Sequence, residues 1–436
     1  MAKNNQKVHF FGVLVCIVGA VFYGYEYFLR IFPSVMEDAL RVHFKLSATS
    51  FGFLSAFYYY AYVPMQLPVG VMLDRYGPRL LLTLACASCV IGTFLFTLTK
   101  QFYLAATARF LIGFGSAFAY VGVLKLATIW LPENRLALVA GLTSALGVVG
   151  AMIGDDLLGN LVEKTGWITS IEYAAIFGVF LTILLWLGIR DKQDDNSKNL
   201  FEGHGTINSF KQSMADLLII AKSKQMWITG LYGCLVYLPT TVFGELWGIP
   251  YLMHARDLSQ QSAGEATSLL FLGFLVGAPL MGFISDKLSR RRPPMLVGAI
   301  GAGIVISLVL YVPKLSLGQI EILMFFLGLF YSAQCIVFAV GRELSPSEAA
   351  GTAIALINML VMLGAMLLQP LVGRLLDLHL AMNYGLRVIH HPTAEAVKIV
   401  YSAQDYQFAM SIIPIGIFIA GVLVLFIKET YADAKE

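Results

Sequence analysis

Twelve apolar runs of membrane-spanning length recur along this chain, and no other feature limits its fold as severely. They lie at about 10–36, 51–73, 80–99, 102–129, 136–160 and 168–189, then at about 226–253, 263–285, 295–313, 319–341, 350–376 and 406–427. A bilayer core takes roughly 20 residues of helix, and a helix satisfies its own backbone polar groups where water is absent. The pattern predicts an all-α membrane protein of 12 transmembrane helices. Composition agrees, because only 13% of the 436 residues are charged, against about 25% in soluble domains. That is too little charge to cover a water-facing surface, which excludes a soluble enzyme. A net charge of +3 is too small to point to nucleic acid.

One long stretch of low hydrophobicity, 190–225, interrupts the series. It divides the chain into an N-terminal six-helix bundle (1–189), a linker (190–225) and a C-terminal six-helix bundle (226–436). Within the linker, FKQSMADLLIIAKSK is amphipathic and fits either a membrane surface or a solvated helix. The first run carries Glu26 and Arg30 and no small-residue cleavage site, so it reads as a retained helix rather than a signal peptide. With the N-terminus inside, 18 Lys and Arg residues fall on the cytoplasmic side and nine outside. This bias predicts an inner-membrane, multi-pass protein with both termini and the linker cytoplasmic. Three basic residues, Arg30, Arg109 and Lys125, are left within the spans.

All five cysteines lie in apolar runs, so no disulfide framework is implied, and the Cys86/Cys89 pair lacks the second ligand pair that a zinc site needs. The seven histidines fall outside the runs, which supports neither a buried metal site nor a histidine proton relay. No metal and no cofactor is expected. Proton chemistry falls to carboxylates. The GxxxxGK[ST] pattern is absent, so ATP is not expected to drive the protein directly.

The two halves share their punctuation. GVMLDRYGPR, from Gly70 through Asp74, Arg75 and Gly77 to Arg79, comes after the second run, and GFISDKLSRR, from Gly282 through Asp286 to Arg290, comes after the eighth at an offset of 212. Gly150 and Asp156 in the fifth run align with Gly364 and Pro370 in the eleventh at an offset of 214. GVMLDRYGPR resembles the loop signature of the major facilitator superfamily. RFLIG, beginning at Arg109, is similar to the family's fourth-helix pattern, and Gly141, Gly147, Gly150 and Gly154 resemble its glycine-rich fifth helix. The resemblance covers nearly the whole chain. It implies a secondary transporter whose two bundles rock about a central site. Read physically, Asp74 at a helix end near arginines is suited to latch the cytoplasmic side. Gly70, Asp74, Arg75, Gly77, Arg79, Arg109, Gly282, Asp286 and Arg290 are accordingly expected to gate; a plain turn carrying positive-inside charge is the alternative.

Ionisable residues at membrane depth are costly and mark function. Glu26 and Arg30 are four residues apart, hence on one helical face, and are expected to bind solute together with Tyr23, Tyr27 and Tyr59; an intrahelical ion pair near the outer interface is the alternative. Lys125 either snorkels or contacts an anion, and Gln334 and Asn358 supply neutral polar groups, as does Gln369. Glu245 lies near the position equivalent to Glu26, with no basic partner evident in sequence. With Glu26, Asp155 and Asp156 it forms the set expected to carry protons. Arg109 and Asp155 lie 23 and 20 residues from the turn joining their helices, which predicts a pair at equal depth. The partners expected are a small polar solute (amino acid, short peptide or organic acid), protons and lipid, acting on a monomer. A drug or siderophore exporter is the first alternative, and a membrane sensor or enzyme the second.

Overall fold

A computed structural model describes residues 2–132, 135–191, 217–346, 349–384 and 401–430. The centre of the linker, with the first part of its amphipathic piece (210–216), therefore lies outside the described residues. Among the described residues, eleven helices are long and apolar enough to cross a bilayer: Gly12–Val35, Pro78–Leu98, Phe102–Trp130, Leu138–Thr165, Trp167–Gly188, Lys224–Arg256, Gln260–Leu288, Arg292–Tyr311, Leu317–Glu343, Ala350–Asn383 and Ala403–Val424. The remaining crossing, second in chain order, is built from Ala48–Met65 and Pro68–Tyr76. Pro68 has no N–H to continue the ladder, so the helix steps at Gln66 and Leu67. The chain thus has the twelve-helix architecture its hydropathy predicts, and the spans are numbered here in that order.

Along their length the spans leave large apolar side chains such as Leu84, Phe180, Phe283 and Phe418 uncovered, as lipid-facing surface requires. The first span packs against the fourth, fifth and seventh. The second lies against the eleventh and the fifth against the eighth. Because the spans alternate in direction, the molecule has a proximal face, where the first span begins, and a distal face, where it ends.

The two faces differ in how closely the spans meet. At the distal face, Asp377 of the eleventh span accepts hydrogen bonds from the backbone N–H of Ala48 (3.2 Å) and Thr49 (2.9 Å) and from the Thr49 hydroxyl (2.6 Å). A carboxylate from one element thereby caps the helix start of another, where orphan N–H groups and the helix dipole favour it. Backbones touch beside this cap. A Cβ at Gly52 would stand 2.6 Å from the Gln369 carbonyl oxygen, one at Gly264 would stand 2.7 Å from that of Asp155, and one at Gly373 would overlap that of Ala48. At the proximal face, a Cβ at Gly70, Gly141, Gly282 or Gly351 would meet nothing within 4 Å. The bundle is shut distally and splayed proximally.

This contrast makes a stability prediction. Gly373→Ala should lower the thermal unfolding midpoint in detergent, since overpacking a tight seam costs about 1–3 kcal/mol. Gly70→Ala should leave the midpoint unchanged or raise it slightly, because alanine is the better helix former. Equal effects of the two changes would contradict the closed distal seam.

Candidate functional site

The i, i+4 spacing on the first span does place Glu26 and Arg30 together: an Arg30 Nη2 donates to Glu26 Oε1 at 3.1 Å and to Oε2 at 3.3 Å. The seventh span delivers a second carboxylate. Its stretch Pro239–Trp247 winds as a π-helix, a wide turn often found at functional positions. Glu245 in that stretch brings Oε1 to 3.6 Å from Arg30 Nη1. Tyrosines of the second span complete the shell. The Tyr58 hydroxyl accepts from Arg30 Nε at 3.1 Å and donates to Glu26 Oε2 at 2.7 Å, while the Tyr59 hydroxyl donates to Glu245. Tyr27 and Tyr62 place their rings 4.3 and 5.0 Å from the guanidinium carbon, within cation–π range. All three charged groups are buried, at 0–2% exposure. One guanidinium faces two carboxylates, so the cluster is neutral when it holds one extra proton.

Arg30 also forms the deep end of a cavity of about 1170 Å³. Tyr23, Tyr27, Tyr62 and Tyr237 surround that end, and Gly70, Asp74 and Gly351 stand at the proximal mouth. Gln66, Gln334, Asn358 and Ser144 supply neutral polar groups along walls that are otherwise largely apolar. Among the described lining residues, Arg30 and Asp74 are the charged ones, and only Arg30 lies at depth.

Sequence comparison decides the family. The Major Facilitator Superfamily model matches residues 14–369 and 231–435. The chain belongs to the Major Facilitator Superfamily. An uncharacterized transporter of Bacillus subtilis (strain 168) is 26% identical over 62% of this chain and 64% of its own length. The "Probable galactarate/D-glucarate transporter" of the same organism is 25% identical over 74% of this chain and 77% of its own. Among solved structures, a bacterial homologue of the human lysosomal transporter Spinster, in an inward-facing, unoccupied conformation, superposes with a TM-score of 0.74 at 18% identity, covering 96% of this chain and 97% of that one. The relatives and the fold are those of superfamily transporters, not of enzymes.

Several residues of the loop signatures meet partners that are not evident from the sequence. Asp74 pairs with Lys125 at 2.6 Å, and Lys125 is not among the described residues that line the cavity. Gly77 adopts a φ of +81°, a conformation that favours glycine. Arg79 is held by its own neighbours, with Nε donating to the Trp186 carbonyl and the backbone N–H to Asp191. Arg75 lies over the Tyr76 ring. In the second copy Arg291 takes the part expected of Arg290, reaching Asp286 at 2.8 Å and Glu343 at 2.6 Å. The Arg290 backbone instead closes the turn, its N–H on the Ser285 carbonyl and its carbonyl on the Ser285 hydroxyl. The glycine at 282 sits beside open space, like Gly70.

The expected pair of Arg109 and Asp155 does not form. Arg109 donates to the carbonyls of Leu29 (2.8 Å) and Arg30 (3.2 Å) and lies over the rings of Phe32 and Tyr58. It thereby buttresses the backbone of the first span at Leu29 and Arg30. The Asp155 carboxylate is buried with no hydrogen-bond partner among the described residues. Asp156 accepts from Ser268 of the eighth span at 3.1 Å. Distance from the turn sets depth along a helix but not which neighbour a side chain meets, and Arg109 is taken up by the first span. Tyr59 serves Glu245 rather than the cavity, and Gln369 donates to the Thr241 carbonyl, tying the eleventh span to the seventh. Three participants carry no signal that singles them out in the sequence reading. Gln66 accepts from Asn358 at 2.8 Å, Tyr237 meets Tyr27 at 3.5 Å, and Asp377 caps the second span. The offset repeat could have flagged Tyr237 on the seventh span; nothing local marks the other two.

A double-mutant cycle tests the reassignment. Arg109→Gln should destabilise the protein by about 1–3 kcal/mol by stranding two carbonyls, and its coupling to Asp155→Asn should be under about 0.5 kcal/mol. A larger coupling would restore the ion pair.

Proposed function

We propose that this chain is a secondary transporter that moves small organic-acid anions together with protons across the inner membrane, with its proximal face cytoplasmic. One observation carries the reading: Arg30 is the charged side chain at the depth of the cavity, and it is fixed between two carboxylates. A solute carboxylate is the natural partner for a guanidinium, which can hold it through two parallel hydrogen bonds. Gln334 and Asn358 on the opposite wall suit the hydroxyls of a sugar acid. The name of the galactarate/D-glucarate relative points to the same class. Amino acids and short peptides share the carboxylate and are the nearest competitors.

Coupling arises from charge. An incoming anion adds a third negative group around one guanidinium in a desolvated place, where unpaired charge is expensive. A proton on Glu26 or Glu245 removes that surplus, so anion and proton bind best together. With the proton bound, the neutral carboxyl releases its share of Arg30 to the solute. The distal seam then opens as the proximal mouth closes, and the glycines at 70, 141, 282 and 351 leave room for backbones to meet there.

Uptake into proteoliposomes tests this. Labelled galactarate or D-glucarate should accumulate faster when the outside is acid. Arg30→Lys, which keeps the charge but loses the planar fork, should lower kcat/KM at least about tenfold. Glu245→Gln should retain exchange of the anion while losing its acceleration by the proton gradient. Accumulation of amino acids or dipeptides without the sugar acids would transfer the role to those solutes, and efflux of a lipophilic cation would replace uptake with export.

A further inference from the structure

A second polar cluster lies on the distal face, away from the central site. The short helix Glu37–Phe44 comes directly after the first span and meets the end of the seventh, where His254 stands. Glu37 Oε1 accepts from Arg41 Nη1 at 3.3 Å. Its other oxygen, Oε2, is buried and has no hydrogen-bond partner among the described residues, on a side chain only 3% exposed. That oxygen points at His254 Nε2, 3.9 Å away, and Asp38 Oδ1 lies 3.5 Å from the same nitrogen. All three donor atoms fall within 4.8 Å of one another.

These separations are long for hydrogen bonds and suit something placed between the atoms. Zinc bonded to nitrogen and oxygen at about 2.0–2.2 Å keeps its tetrahedral ligands about 3.3–3.6 Å apart, so the site closes with movements of about 1.5 Å or less. We propose that Glu37, Asp38 and His254 form a binding site for a divalent transition cation, with Zn2+ the best match to one imidazole and two carboxylates. Magnesium and calcium prefer all-oxygen shells. The surroundings fit a metal site in three respects. Asp38, 61% exposed, leaves a path for the ion and room for water as fourth ligand. His254 stacks on Tyr406, which fixes its ring. Arg41 holds the far oxygen of Glu37 and orients the carboxylate, as outer-shell partners do. Two carboxylates against one arginine leave a single negative charge for the cation to meet.

The site also joins elements that transport must separate. Glu37 and Asp38 lie just past the first span and His254 ends the seventh, so a bound cation staples them across the closed distal face. A ligand that binds one conformation better shifts the population toward it. Zinc should therefore hold the proximally open state.

Calorimetric titration of tag-free, metal-stripped protein in detergent with ZnCl2 tests the site. One Zn2+ per chain should bind with a rise in the melting midpoint, MgCl2 should do neither, and Co2+ should show visible absorption bands of low-coordinate geometry. His254→Gln and Asp38→Asn should each weaken Zn2+ binding at least about tenfold; Asp38 is exposed, so its variant keeps the test decisive if the histidine variant folds poorly. His379→Gln, which removes a different histidine–carboxylate contact, should leave binding intact. Absence of saturable binding, binding indifferent to both ligand changes, or binding lost instead with His379→Gln would each overturn the proposal.

Discussion

Arg30 shared between Glu26 and Glu245 is the interaction on which the rest of the structure depends. Three ionisable side chains inside an apolar bundle stay there only if their charges and hydrogen-bonding groups are met, since breaking a buried ion pair costs about 3–5 kcal/mol. The demand reaches outward. Tyr58 and Tyr59 satisfy the carboxylates, Tyr27 and Tyr62 cover the guanidinium, and Arg109 ties down the backbone that carries it. First, second, fourth and seventh spans are thereby fixed around one point.

From that point the molecule is asymmetric. Distally, among the described residues, backbone lies on backbone at glycines and Asp377 caps the second span. Proximally, the same pairs of spans diverge and the cavity reaches Asp74. Polar contacts at the two ends include Asp74 with Lys125, Arg291 with both Asp286 and Glu343, and Asp377 with Thr49. Each joins helix ends rather than helix middles. An arrangement of this kind can exchange one set of end contacts for the other without disturbing the packed middle of each helix.

Features governed by short spacing were legible in the sequence. Glu26 and Arg30 share a face because four residues is about one helical turn, and the two Gly/Asp loop signatures sit where a repeated bundle must turn. Features governed by helix rotation or by partners far along the chain were not. Arg109 and Asp155 have matching distances from their shared turn yet do not pair, because Arg109 bonds the first span instead. Glu245 reads in sequence as an acid with no basic partner, although its partner lies 215 positions away at Arg30. In the second loop a shift of one residue moved the clasp from Arg290 to Arg291, because the backbone at Ser289 is left-handed and redirects the residues after it.

The sequence by itself determined the membrane, the number of crossings and the positions where charge enters the spans. Hydrophobic length and i, i+4 periodicity are properties of a single helix and need no partner. Only the tertiary structure decided which charges meet, which face is closed, and that one arginine serves two glutamates. Those outcomes depend on how helices distant in sequence rotate and pack to keep every buried charge compensated.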